Sequence, residues 1–253
     1  MTAARWLAAL LLAAPVAAAA QQLPALGADL AFRADFVESI AASAYRQRLA
    51  QLAEQSGLDL DRPLLERIRR AARRLLLAAE RERTGAERLD WEFHLCRRCG
   101  ENASAMAGGK LLFGEEFVAG LALSDDELGY LVAHEMAHVL CEHTREFATA
   151  GRYFISNGLR RDYEDVQAEL DGSLPVQLSM AFLSSQQELE ADRVGFTLGA
   201  LAGFDPDAMM SLLRKLAGSE PGFASSHPSA ERRLREAAQM LDAARRLQER
   251  IRP

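Results

Sequence analysis

The sequence predicts a mainly helical α+β domain in which a small sheet lies over one buried helix. Three observations carry this reading. Apolar residues recur at helical spacing through most of the chain, and two short runs alternate as strands do. A capped helix beginning at Ser124 is apolar on nearly every face, yet carries two histidines and a glutamate.

At the start, residues 1–20 (MTAARWLAALLLAAPVAAAA) combine one positive charge at Arg5, an apolar run from Trp6 to Ala14 and small residues leading into Gln21. This is the pattern of a secretory signal peptide cut near Ala20, which would place the mature chain in the periplasm or outside the cell. The run falls short of the roughly 20 apolar residues that span a bilayer, and the mature chain shows no transmembrane segment. Residues 21–253 are expected to form a single domain with its own core. The formal charge of −6 gives no reason to expect nucleic acid as a partner.

Two N-terminal helices are expected within residues 35–83. Phe36, Val37, Ile40, Ala44 and Leu52 mark the first; Leu64, Leu65, Ile68, Ala72, Leu75, Leu76 and Ala79 mark the second. Joined at Ser56-Gly57, they are expected to pack through these stripes and against the rest of the domain. Arg67, Arg69, Arg70, Arg73 and Arg74 could make a peripheral contact with anionic lipid headgroups, although the interleaved Glu66, Glu80 and Glu82 favour a solvated face. Leu89 to Cys96 and Lys110 to Phe113 read as strands, the second preceded by Gly108-Gly109.

Everything beyond Ser124 reads as helical. Ser124 and Glu127 have capping-box spacing, with Asp125 and Asp126 in the favourable first turn. That helix is expected to run to about Phe147. A less regular stretch follows, Gly151 to Pro175, and further helices are expected over residues 184–201, 205–216 and 228–250.

The chemistry lies in the Ser124 helix. Burying His134, Glu135 and His138 among apolar residues is costly unless they are paired or bind a metal. In His134-Glu135-Met136-Ala137-His138 the two imidazoles, four residues apart, share a helix face and can hold one zinc ion, while Glu135 stands beside the open position as general base. Such a site needs a third ligand. Glu188 is the candidate, because Glu188, Ala191, Asp192 and Gly195 fall on one face of their helix, and the small Ala191 and Gly195 permit close approach. Glu190 lies on another face, expected to pair with Arg193. Asp192 is positioned to accept from the free ring nitrogen of a ligand histidine. His143 is read as part of the polar network near the site, and His94 as structural.

Cys96, Cys99 and Cys141 leave at least one thiol unpaired or shared between chains. Cys96 and Cys99 could close a small disulfide, with Cys141 able to pair with either. A four-cysteine zinc site is excluded within one chain. A thiol oxidoreductase built on Cys96 and Cys99 is disfavoured by the loop that follows, where that chemistry normally uses a helix.

The run from His134 to His143 (HEMAHVLCEH), Glu188 to Asp192 (ELEAD) and His227-Pro228 followed by Arg232 and Arg233 together resemble the zinc peptidases that include HtpX, BepA, mitochondrial Oma and the CAAX prenyl endopeptidases, metallopeptidase family forty-eight. Residues 102–109 also resemble a segment of that family, departing from it at Ser104 and Ala107. The likeness covers residues 89–233, the expected catalytic core. It implies a gluzincin-type fold, one zinc per chain and peptide-bond hydrolysis. Without transmembrane segments the chain is similar to the periplasmic, BepA-like branch. That branch implies unfolded or misassembled envelope proteins as substrates.

By the same resemblance His227 approaches the zinc and assists or blocks catalysis. If it blocks, the protein would be a latent, zinc-bound, chaperone-like binder of clients. Lys110 to Phe113 is expected to be the edge strand that holds an extended substrate through main-chain hydrogen bonds. The sequence does not set the oligomeric state.

Overall fold

The computed structural model describes residues 30–82, 84–100, 102–218 and 230–251. The expected signal peptide, His227 and Pro228 lie outside them. Among the described residues, two long helices lead into a three-stranded sheet, and helices make up the rest. Helix α1 spans Ala34–Gln55 and α2 spans Arg62–Arg81. Strands β1 (Glu92–Cys96), β2 (Ala103–Met106) and β3 (Lys110–Gly114) follow. After them come α3 (Glu115–Gly120), α4 (Asp125–Leu140), α5 (His143–Gly151) and α6 (Tyr163–Gly172). The chain continues with α7 (Leu174–Leu201), α8 (Pro206–Ala217) and α9 (Ala230–Ile251).

The strand order is β1-β3-β2, with β3 parallel to β1 and antiparallel to β2. This corrects one expectation and adds a strand. Lys110 to Phe113 belongs to the central strand, so it is not an edge, and its ladder hydrogen bonds are taken on both sides. Ala103 to Met106 forms an edge strand that the sequence pattern did not predict. Its residues are small and weakly alternating, and what makes them a strand is the turn that folds them back on β3. Gly108 and Gly109 supply that turn with φ of 77° and 84°, which other residues rarely adopt.

The two N-terminal helices do not pack stripe against stripe as expected; they serve opposite faces of the sheet. Successive residues of a strand point to opposite sides. Leu111 and Phe113 accordingly join α2 and α4 in the main core, while Leu112 packs with Tyr45 and Leu52 of α1. The Tyr45 hydroxyl donates to the Leu111 carbonyl at 2.5 Å, anchoring α1 to the central strand.

The arginines of α2 are partly engaged within the protein. Arg67 donates to Asp125 and to the Leu123 carbonyl. Arg74 donates to the Ala202 carbonyl and lies over the Phe204 ring, and Arg69 pairs with Glu66. Among the described residues no helix is long and apolar enough to cross a membrane.

Helix α4 starts as its sequence dictates. Ser124 accepts from the Glu127 amide while Glu127 accepts from the Ser124 amide, and Glu127 also receives Ser211 and Lys215 of α8. It ends at Leu140, seven residues before Phe147, because Glu142 turns left-handed at φ 56° and His143 opens a new helix. The stretch from Gly151 to Pro175 is more ordered than expected. Asp162 caps α6, whose Tyr163, Val166 and Leu170 are buried, and α7 starts at Leu174, ten residues before the predicted Ser184.

Candidate metal centre

Helices α4 and α7 pack closely in the core, and glycine makes the approach possible. A Cβ on Gly195 would lie 2.9 Å from the His134 amide nitrogen, and one on Gly199 would lie 2.3 Å from the Tyr130 ring. Ala191 is fully buried at the same contact. The face carrying Glu188, Ala191, Asp192 and Gly195 is therefore pressed against the histidine face of α4.

Three side chains converge there. The Nε2 atoms of His134 and His138 are 3.2 Å apart, and each stands 3.4 Å from an oxygen of Glu188. Ligands about 2.0–2.1 Å from a tetrahedral zinc stand roughly 3.3–3.4 Å from one another. The three separations match that spacing, with His134 facing Oε2 and His138 facing Oε1 of the Glu188 carboxylate. Two imidazoles and one carboxylate are also a donor set that zinc accepts with a position left open. His134, His138 and Glu188 thus form a group that could hold a metal ion.

Behind His134 stands Asp192, its Oδ1 3.1 Å from Nδ1. Arg233 of α9 donates to both oxygens of Asp192 at 2.7 Å. The carboxylate can only accept, so Nδ1 of His134 carries a proton, and Nε2 is the atom that can offer a lone pair to a metal. Burial opposes charge on Asp192, but Arg233 and His134 hold its carboxyl below the usual range. Burial likewise opposes the Arg233 charge, and Asp192, Glu188 and Glu135 outweigh it. Glu135 is therefore within electrostatic reach of the same centre, and it is buried on α4 beside His134.

Behind His138 stands a different partner. His143 is buried, with its Nδ1 3.0 Å from Nδ1 of His138 and its Nε2 3.4 Å from Glu190. The expected pairing of Glu190 with Arg193 is corrected: Arg193 binds Glu236 of α9. The hydrogen bond from His143 outweighs burial and holds the Glu190 carboxyl below its ordinary range.

Sequence reasoning had assigned neither Arg233 nor Glu190 to the site. For Glu190 the signal was its place in the Glu188–Asp192 run; for Arg233, only the resemblance pointed there. His227, expected near the metal, lies outside the described residues.

Other polar expectations resolve simply. His94 holds Asp59 at 2.7 Å, away from the centre. Cys96 and Cys99 form a disulfide, and Cys141 is a free, half-buried thiol whose pKa burial pushes up to about 12. A cleft of about 410 Å³ opens on His138, bounded by Glu38 of α1, the Ala107-Gly108 turn, Arg88 and Arg145.

A mainly helical domain with a small sheet, two histidines and a glutamate on facing helices, and a further glutamate beside them is the arrangement of a gluzincin-type metallopeptidase. A model of Peptidase family M48 matches residues 65–241, and the chain belongs to that family. Among curated proteins it is similar to the mitochondrial metalloendopeptidase OMA1 of Schizosaccharomyces pombe, 28% identical over 219 residues, 83% of this chain and 62% of that protein. The OMA1 of Saccharomyces cerevisiae is 26% identical over 188 residues, 64% of this chain and 50% of that protein. The beta-barrel assembly-enhancing protease of Yersinia pestis is 26% identical over 257 residues, 91% of this chain and 51% of that protein. The chain thus spans less than two thirds of the length of each of these relatives.

Proposed function

We propose that the chain is a zinc-dependent endopeptidase, with one zinc held by His134, His138 and Glu188 and with Glu135 as general base. The observation that carries this reading is the convergence of the two imidazole Nε2 atoms, 3.2 Å apart, on the Glu188 carboxylate, one oxygen 3.4 Å from each. A zinc ion there would polarise the scissile carbonyl and lower the pKa of a water molecule. Glu135, one residue after a ligand, takes the proton of the attacking water and hands it to the departing amine. Asp192 and His143 hold the ligand rings from behind. The free side of the edge strand β2 is the place for an extended substrate, because among the described residues its only strand partner is β3. Main-chain recognition tolerates many side chains.

That tolerance suits unfolded or misassembled proteins of the cell envelope as substrates, in keeping with the periplasmic location inferred from residues 1–20. His227 is proposed to approach the metal and to regulate or assist the reaction.

The test is zinc content and cleavage of an unfolded model protein by the purified chain beside Glu135→Gln. The wild type is expected to bind one zinc and cleave; the variant is expected to keep the zinc and lose cleavage by at least about 100-fold. Zinc binding without cleavage in the wild type would favour a client-holding protein blocked by His227. Absence of zinc from the wild type would remove the metal centre itself.

A further inference from the structure

We propose that Glu190 and His143 together are positioning residues for the metal: through two successive hydrogen bonds they set which nitrogen of His138 carries its proton. The proposal rests on the zinc reading above and extends it to a residue outside the ligand set.

The geometry leaves few choices. Two ring nitrogens 3.0 Å apart, Nδ1 of His138 and Nδ1 of His143, share one proton between them. If His143 held it, a neutral His138 would carry its other proton on Nε2, aimed at His134 and Glu188, and could not bind metal. If His138 holds it, Nε2 is free as a ligand and His143 must carry its own proton on Nε2. That proton needs an acceptor, and Glu190 lies 3.4 Å away with a carboxylate oxygen. Glu190 thus selects the tautomer of His143, and His143 selects that of His138.

The local fold is shaped for this contact. Residues 138 and 143 would lie well apart around a continuous helix, since five residues advance about 500° at 3.6 per turn. The left-handed Glu142 breaks the helix and starts another at His143, and the two rings meet edge to face at 4.9 Å between centroids. Buried Gln187 of α7 donates to the His143 carbonyl at 3.1 Å and to Glu146 at 2.8 Å, fixing this start to the helix that bears Glu188. Glu190 is itself partly exposed, with 38% of its side chain accessible, so it can be changed without opening the core.

The experiment measures zinc affinity of the full chain by competition with a chromophoric chelator, for wild type, Glu190→Met and Glu190→Gln. Thermal unfolding of each metal-free protein is recorded alongside, with imidazole nitrogen–proton NMR spectra of the zinc-loaded forms. Removing an outer partner of a metal-bound histidine weakens binding by about 10–100-fold. Glu190→Met is expected to show that loss with an unchanged unfolding midpoint. Glu190→Gln, which keeps an acceptor oxygen, is expected to recover most of the affinity, and the wild-type spectrum to show His138 protonated at Nδ1. Wild-type affinity in Glu190→Met, or a His138 without a proton on Nδ1, would overturn the proposal while leaving the zinc reading intact. A wild type that binds no zinc would overturn both.

Discussion

His134 and His138 stand one turn apart on the same helix and offer the same atom to the same centre, yet the protein supports them in different ways. His134 is backed by a buried ion pair, Asp192 with Arg233, in which both side chains are nearly inaccessible. His138 is backed by a second imidazole and a partly exposed carboxylate, and it borders the cleft. The difference separates two tasks. The buried pair ties three helices, α4, α7 and α9, at one point, so it bears on stability as well as on the ligand. The His143–Glu190 chain lies nearer solvent and bears mainly on orientation.

Breaking the His134 side should therefore be the more damaging. Arg233→Met leaves Asp192 buried without its counter-charge, and it is expected to destabilise the fold by about 3–5 kcal/mol in denaturant unfolding. Glu190 is only partly exposed but reaches the surface, and Glu190→Met is expected to stay within about 0.5 kcal/mol. Equal losses from the two would erase the contrast.

A smaller effect should follow from disturbing the helix contact itself. Gly195→Ala places a methyl 2.9 Å from the His134 amide nitrogen and 3.0 Å from its Cα, backbone atoms that cannot swing aside. The expected cost is about 1–3 kcal/mol, read as a lowered unfolding midpoint, together with weaker zinc binding. An unchanged midpoint would mean that α4 and α7 sit farther apart than described.

A further effect, small per pH unit, concerns protons. Burial works against charge on His134, but Asp192 and Glu188 raise its pKa from 6.5 to about 10 in the metal-free protein. Its stabilising contribution is fully present below pH 6.5 and is lost as pH rises through about 10. Zinc must displace this proton, so its apparent affinity should increase about tenfold, or about 1.4 kcal/mol, per pH unit between pH 7 and 9. Chelator competition at several pH values measures the slope; a flat profile would show that His134 is neutral before zinc arrives.

How much of this was legible in the sequence follows from the range of each interaction. The capping box at Ser124, the histidine pair and the helix face that turns Glu188 toward that pair all concern residues within a turn or two of one another. Helical periodicity places such residues directly. Helix α6 also carried local signals, a capping Asp162 and apolar residues at Tyr163, Val166 and Leu170, which the irregular reading of that stretch had passed over. Strand β2 carried almost none, since Ala103, Ser104 and Ala105 have no marked strand preference.

By itself, then, the sequence determined a mainly helical domain, a buried helix bearing the histidine pair, and the glutamate and aspartate on a second helix that would meet it. Only the tertiary structure decided that β3 is central and β2 the edge, that α1 and α2 serve opposite faces of the sheet, and that Arg233 and Glu190 stand behind the two histidines. Strand order and ion-pair partners join residues tens of positions apart, as Arg233 and Asp192 are. No local periodicity carries that information, because those pairings are set by which surfaces meet when the whole core closes.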